Sequence, residues 1–354
     1  MAEITPTSRK PTSLLRRNLG LWISLAVMIL LPFIIGLFEG ANPVQVWQNE
    51  TGISKFVQGL AIEIFILALY ALSYDLIFGI TGLLSFGHAM FFATGAYVAG
   101  IMLKNFSMPL GVTVLLVIAA SIVNALLFGM VLPRVKGITF ALVTLGLASV
   151  FHIVIMSREL GDYTGADVGL QGVITPEFLS PANERLRFYF IALAILILFY
   201  FLYKRFVTSP TGRVCIATRE NEGRARMLGY NTFYFKLAAL MLSSATAALA
   251  GVLHALYQPI VSPNVASLGF TVTALLIILI GGVGTLSGAL IGAAVLRLLD
   301  FGLRRYVGES ASFISGALYV AIVLFLPYGI VGTWMLRSFQ LKQGWKRLLD
   351  LVKR

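Results

Sequence analysis

Among the ionisable side chains in or beside apolar stretches of this 354-residue chain are Glu63, Asp75, His88, His152, His254, Arg297 and Asp300. Such groups are costly in lipid and commonly functional. A metal centre or proton relay built from the three histidines needs them to converge. They fall on three separate stretches with no H-x-x-x-H spacing, and they read as hydrogen-bonded packing residues. Glu63 and Asp75 are 12 residues apart on one stretch. At about 100° per residue they point about 120° apart, so they do not form a carboxylate pair; each reads as an interfacial anchor near a helix end. Arg297 and Asp300 have i,i+3 spacing and are expected to neutralise each other. No Ser/His/Asp or Cys/His grouping appears. The single cysteine, Cys215, excludes an internal disulfide and a cysteine-based metal cage. The G-x-x-x-x-G-K-[ST] nucleotide loop is absent. The expectation is a chain with no catalytic, metal or cofactor residues of its own, so any ATP is used by another subunit.

Two patterns carry more. The first is the spacing of small residues. Within 79–100, GITGLLSFGHAMFFATGAYVAG, Ala89 and Ala93, Gly95 and Ala99, and Ala96 and Gly100 recur at four-residue spacing; Gly284, Gly288 and Gly292 do so again further on. Such faces let helix backbones approach closely in lipid. Ser85, Gly87, His88, Gly95, Gly284, Gly288 and Gly292 are the packing or pathway candidates, with static packing favoured over a sliding contact. The two regions also share G-x-x-G-x-L-S, at Gly79, Gly82, Leu84, Ser85 and at Gly281, Gly284, Leu286, Ser287, a match used only as a pointer. The second pattern is segment 204–236, with seven basic and two acidic residues. There Arg219, Glu220, Asn221, Glu222, Arg224 and Arg226 make a short charged helix suited to docking by paired charges. Gly229 lets the chain turn back at its end.

The elements that must position these residues follow from composition. Hydrophobic residues make up 58% of the chain and charged residues 12%, against about 25% charged in soluble domains. A soluble surface and disorder are both excluded. Apolar stretches occur at about 19–38, 56–78, 82–102, 110–132, 138–157, 188–203, 237–257, 270–281, 285–299 and 313–336. In lipid the backbone must satisfy its own hydrogen bonds, so all are predicted helices. The fold class is an all-α polytopic membrane bundle of about ten crossing or half-crossing helices, with 270–299 either two thin spans or a re-entrant pair. The first stretch follows basic residues but is too long for a signal core and lacks an A-x-A site, so it reads as a retained span.

Positive charge orients the helices. With the N-terminus inside, segments 1–18, 79–81, 133–137, 204–236 and 337–354 hold 19 of the 27 Lys and Arg residues, the asymmetry expected of cytoplasmic loops. The net charge of +12 therefore reflects topology and not nucleic-acid binding. The chain divides into a cytoplasmic basic segment 1–18, a transmembrane domain 19–336 with an inner loop 204–236, and a tail 337–354. In the tail Trp345, Leu348, Leu349 and Val352 form one apolar face, as in a helix lying on an anionic leaflet.

The run IATRENEGRARMLGYNTFYFKLAALMLSSATAALAGVL resembles the cytoplasmic loop of the branched-chain amino acid ABC transporter permease family. Matching features are Ser209-Pro210, Gly212-Arg213, Ala217, Arg219 to Glu222, Ala225, Gly229, Lys236-Leu237 and Ala250-Gly251. GLLSFGHAMFFATGAYVAG at 82–100 and GGVGTLSGALIGA at 281–293 are two further matches, in the expected order. There are departures. The general importer pattern E-A-A-x-x-x-G wants Glu where Gly223 stands. The family's T-G-G-x-D/N-G-L-like run is Thr164 to Leu170 here, with Ala166 and Val168 departing from it.

The resemblance implies an ABC importer permease that pairs with a second, related permease. It would dock on two ATPase subunits through 204–236 and receive branched-chain amino acids from an extracytoplasmic binding protein. The setting would be the plasma membrane of a prokaryote, with both termini cytoplasmic. Cargo would pass along the interface with the sister permease, lined by 82–102 and 285–299. Alternatives are the same architecture moving urea, amides or other amino acids, and an ion-gradient-driven secondary transporter.

Overall fold

The computed structural model describes residues 19–40, 42–48, 52–135 and 137–335; the basic segment 1–18 and the tail 337–354 lie outside the described residues. All ten apolar stretches contain a helix. These are α1 (Leu19–Phe38), α2 (Gly52–Asp75), α3 (Ala89–Lys104), α4 (Leu110–Val131), α5 (Ile138–Met156) and α6 (Arg185–Thr208). After α7 (Pro210–Met227), from the polar segment, come α8 (Thr232–Tyr257), α9 (Leu268–Gly281), α10 (Ser287–Val307) and α11 (Ala311–Phe325). Among the described residues, six helical stretches, including Gly52–Ile80 and Phe313–Met335, are long and apolar enough to cross a membrane.

The chain divides between Gln58 and Gly59 into two compact units. In the first, the Glu39 carboxylate accepts the N–H groups of Ile53 (2.8 Å) and Ser54 (3.0 Å). An anion there satisfies first-turn donors of α2 and complements the helix dipole. The Ser54 hydroxyl donates to the carbonyl of Pro32 at 2.9 Å.

In the second unit α2 and α3 are central. The apolar window of Gly52–Ile80 is 78% buried, against 28% for Ile138–Met156, so α5 presents most of its surface outward. Small residues bring α3 against α8. An ideal Cβ on Gly95 would lie 1.9 Å from the carbonyl oxygen of Ala248, and one on Gly251 2.1 Å from that of Phe92. The same device joins α9 to α10, where a Cβ on Gly292 would lie 1.9 Å from the oxygen of Ile277.

The expected helix from residue 82 begins only at Ala89. α2 widens into a π-helical turn over Leu76–Ile80, and residues 82–88 are largely irregular. Gly82 takes φ +77°, which a side chain resists. A non-helical segment at this depth persists only if the protein satisfies its backbone. Leu83 N–H reaches Ile77 O at 2.9 Å, the Tyr74 hydroxyl donates to Ser85 O at 3.0 Å, and Ala89 N–H donates to Thr271 Oγ1 at 2.9 Å.

The two ends of this unit are distinct. At one, Leu170 and Gln171 pair antiparallel with Val261 and Ile260, the short sheet that an all-helical expectation omits. The Tyr97 hydroxyl ties α3 to it through Val261 O at 3.2 Å. In the adjoining turn Ala166, where the family-like run has glycine, sits at φ +45°. At the other end lie the turn 76–82, the polar segment and the α9–α10 turn. α9, 14 residues or about 21 Å long, runs from Phe270, packed on Tyr70 and Phe92, to Gly284 beside Gly79. A 3-10 turn over Pro263–Ala266 leads into α9, and α10 follows after the turn at 282–286.

Candidate functional site

The polar segment is two helical pieces in series. Ser209 caps the first, its Oγ accepting Gly212 N–H at 3.2 Å with Pro210 in the first turn. The helix breaks at Asn221, whose backbone (φ −160°, ψ 99°) is extended. Asn221 Oδ1 then accepts Arg224 N–H at 2.9 Å and starts the second piece. That piece ends on Gly229 at φ +88°. Tyr230 N–H returns to Ala225 O (3.3 Å) and Gly229 N–H to Arg226 O (2.9 Å), a Schellman closure that satisfies the last carbonyls. The turn expected at Gly229 is present in this form.

Glu222 anchors the second piece to α8. Its carboxylate pairs with Lys236 at 2.9 Å and Arg226 at 2.7 Å and accepts from the Thr232 hydroxyl at 2.9 Å. A cavity of about 390 Å³, lined also by Pro133 and Tyr230, opens beside this group. Burial alone would raise the Glu222 pKa. The Lys236 and Thr232 hydrogen bonds, with the two cationic charges, overcome it and hold the carboxyl at about 2. Because the folded value is depressed, the contribution is present above the ordinary value of 4.5 and is lost as pH falls from there through about 2. The protection of amides across 222–236, after correction for the intrinsic pH dependence of exchange, is therefore expected to be unchanged from pH 7 to 5. Glu222→Gln should raise exchange there at neutral pH, and equal protection in both proteins would contradict the assignment.

Arg219, on the first piece, is exposed as a residue but reaches along the surface to the turn that follows α2. Its guanidinium donates to Gly79 O, and its stem lies 2.9 Å from where a Cβ on Gly82 would be. One terminal nitrogen lies 3.2 Å from the equivalent point on Gly284. Next to it the buried Asp75 carboxylate accepts the N–H of Gly284 at 2.7 Å and of Leu286 at 3.2 Å. This corrects the reading of Asp75 as a headgroup anchor: its charge is spent on two backbone donors of the α9–α10 turn. Leu286 sits at φ +51°, an uncommon state for leucine, and its bond to Asp75 helps hold it there. Both G-x-x-G-x-L-S runs meet at this point, and their second glycines share nearly one conformation, Gly82 at +77° and Gly284 at +74°. Asp75, Gly79, Gly82, Thr232 and Lys236 were not among the expected site residues; the repeated motif pointed to Gly79 and Gly82 but not to Asp75. Glu220 and Arg224 are exposed on the same segment.

Of the packing or pathway candidates, Gly284 lies at this point. Ser85 and His88 are fully buried. His88 Nε2 shares a 2.8 Å hydrogen bond with Ser73 Oγ, and its ring stacks on Tyr70, so it is a packing histidine as expected. Gly87 approaches Thr144 O on α5, and Gly288 packs on the α9–α10 turn. α3 is buried within the chain from Ala89 to Tyr97. The i,i+3 pairing is also corrected. Arg297 binds Glu63 on α2, making Glu63 an ion-pair partner and not an interfacial anchor, while Asp300 accepts from the Tyr319 hydroxyl at 2.6 Å.

Apolar helices, a broken span and a polar segment locked to its turns define a multi-pass helical membrane permease. The family described as the permease component of branched-chain amino acid transport systems matches residues 56–326, and the chain belongs to it. It is 26% identical over 303 residues to the high-affinity branched-chain amino acid transport system permease protein LivM of Salmonella typhimurium, covering 79% of this chain and 71% of that one. Against LivH of Escherichia coli identity is 26% over 280 residues, covering 75% and 91%. Against a probable LivM of Methanocaldococcus jannaschii it is 23% over 306 residues, covering 74% and 89%.

Proposed function

We propose that this chain is one permease of an ATP-driven importer of branched-chain amino acids. It pairs with a second, related permease in the plasma membrane of a prokaryote, both termini in the cytoplasm. Two ATPase subunits dock on 204–236, and a binding protein delivers cargo at the opposite end. The observation that carries this reading is the polar segment itself. Its tip presents Met227 (83% exposed) and Leu228 (72%) to a partner, while Arg219 reaches from the same segment to the turns of two broken helices. An apolar tip on a charged stem suits a groove on another protein. The names of the relatives support the cargo class.

Affinity purification of the chain is expected to bring down a second permease and an ATPase. Proteoliposomes holding that complex should take up leucine, isoleucine or valine only with ATP and the binding protein, and should tolerate a proton uncoupler. Uptake by the isolated chain on an ion gradient would overturn the proposal.

A further inference from the structure

The π-helical turn after α2 and the α9–α10 turn meet at one close joint. An ideal Cβ on Gly79 would lie 2.1 Å from Asp75 Oδ1 and 2.6 Å from the nitrogen of Gly284. Only glycine at 79 lets that carboxylate and that amide meet. Both carboxylate oxygens are engaged, Oδ1 by Gly284 N–H and Oδ2 by Leu286 N–H, and Asp75 is fully buried. A buried anion is costly unless it is paired and hydrogen-bonded. Arg219 is the cation that acts on this charge. It also bonds Gly79 O and lies against Gly284, so the polar segment covers the joint from outside.

The turn itself is held in an uncommon shape. Gly282, Gly284 and Leu286 take positive φ at alternate positions, +124°, +74° and +51°. Glycine does this freely. Leu286, at φ 51° and ψ −51°, falls outside the small left-handed region open to a side chain. Backbone in such a state persists where its surroundings over-determine it, and it clusters at switch regions. Behind the turn α9 and α10 touch through glycines: a Cβ on Gly281 would lie 1.8 Å from the oxygen of Gly288. The start of α10 can turn about that contact.

We infer that Asp75 is a latch on the 282–286 turn. With both amides bonded it holds Leu286 at positive φ. When Arg219 withdraws, the bonds open, Leu286 relaxes to negative φ, and the first turn of α10 shifts against α9. Asp75 is thus a positioning residue for transport, acting through the turn and not on cargo.

The test is amide exchange at Gly284 and Leu286 in the full chain in lipid, corrected for intrinsic rates. Arg219→Gln is expected to speed exchange at both by at least about tenfold, as removing the countercharge of a buried anion implies, and Arg219→Lys by less. A second pair of variants reads the strained position. Leu286→Gly and Leu286→Ala both lose the buried side chain, but only glycine takes positive φ without cost. Gly284 N–H should therefore exchange more slowly in Leu286→Gly than in Leu286→Ala; a turn with no strained position gives the reverse order, because glycine is the more mobile residue. A third comparison, which rests on the transport reading above, uses the wild-type complex without nucleotide and with a non-hydrolysable ATP analogue. Protection at both amides should fall by a similar factor in one of the two conditions. It needs no variant, so misfolding cannot mask the result. Unchanged exchange in Arg219→Gln, equal or faster exchange in Leu286→Gly, or equal protection in both nucleotide conditions of a complex that takes up leucine with ATP would overturn the latch. Absence of ATP-driven uptake by the wild-type complex would strike the transport reading, and the first two comparisons would still decide the latch.

Discussion

Arg219→Glu is expected to lower ATP-dependent uptake by more than tenfold while the complex still assembles. The wild-type guanidinium donates to Gly79 O and packs on Gly82. Losing a hydrogen bond to a charged group costs about 1.5–3 kcal/mol, and the new carboxylate would also stand beside Asp75, whose own oxygens hold Gly284 and Leu286. Two carboxylates cannot share that position without one being protonated or expelled. The segment would then lose its grip on the two turns, although its surface and its Glu222 anchor remain. Arg219→Lys keeps the charge but not the fork of donors, so an intermediate value is expected. The measurement is uptake and cargo-stimulated ATP hydrolysis on the same preparation. Wild-type coupling in Arg219→Glu would remove the residue from the transmission route.

Gly95→Leu is expected to prevent accumulation of folded permease. Even a Cβ at 95 would lie 1.9 Å from the Ala248 oxygen, and a backbone carbonyl in the middle of α8 cannot swing away. Overpacking a tight core costs about 1–3 kcal/mol where side chains can adjust; here the helices themselves must part, so Gly95→Ala should already lower the melting temperature and leucine should exceed it. Gly146, on α5, is the control. Nothing lies within 4 Å of its added Cβ, and Gly146→Ala should be neutral or stabilising by up to about 1 kcal/mol. Thermal unfolding in detergent compares the three. Equal melting temperatures for Gly95→Ala and wild type would contradict the close crossing of α3 and α8.

The helices were legible because lipid leaves the backbone few options: each apolar stretch contains one, and the family followed from three motifs in order. What sequence concealed were partners set by three-dimensional proximity. Arg297 and Asp300 looked complementary at i,i+3, yet α2 and α11 supply Glu63 and Tyr319. Asp75 looked terminal because α2 appeared to end near it, whereas the π-helical turn and the irregular 82–88 return the chain into the core and leave its carboxylate buried. The start of α3 was misplaced by seven residues for the same cause: GLLSFGH is apolar and small enough for a helix, and only Gly82 at positive φ and the hydroxyl of Thr271 explain why it is not one. The Glu222–Lys236 pair joins residues on either side of the Gly229 turn, a fold-back that charge counting along the segment does not reveal.

The break at Asn221 has a mechanical consequence. It makes the segment a jointed linkage with two output arms: the outer arm is riveted to α8 by Glu222, the inner arm hooks the glycine elbows through Arg219. If a partner pushes on Met227 and Leu228 as proposed, the load would divide between one long rod and two pivots, and stiffening the joint should merge the two responses.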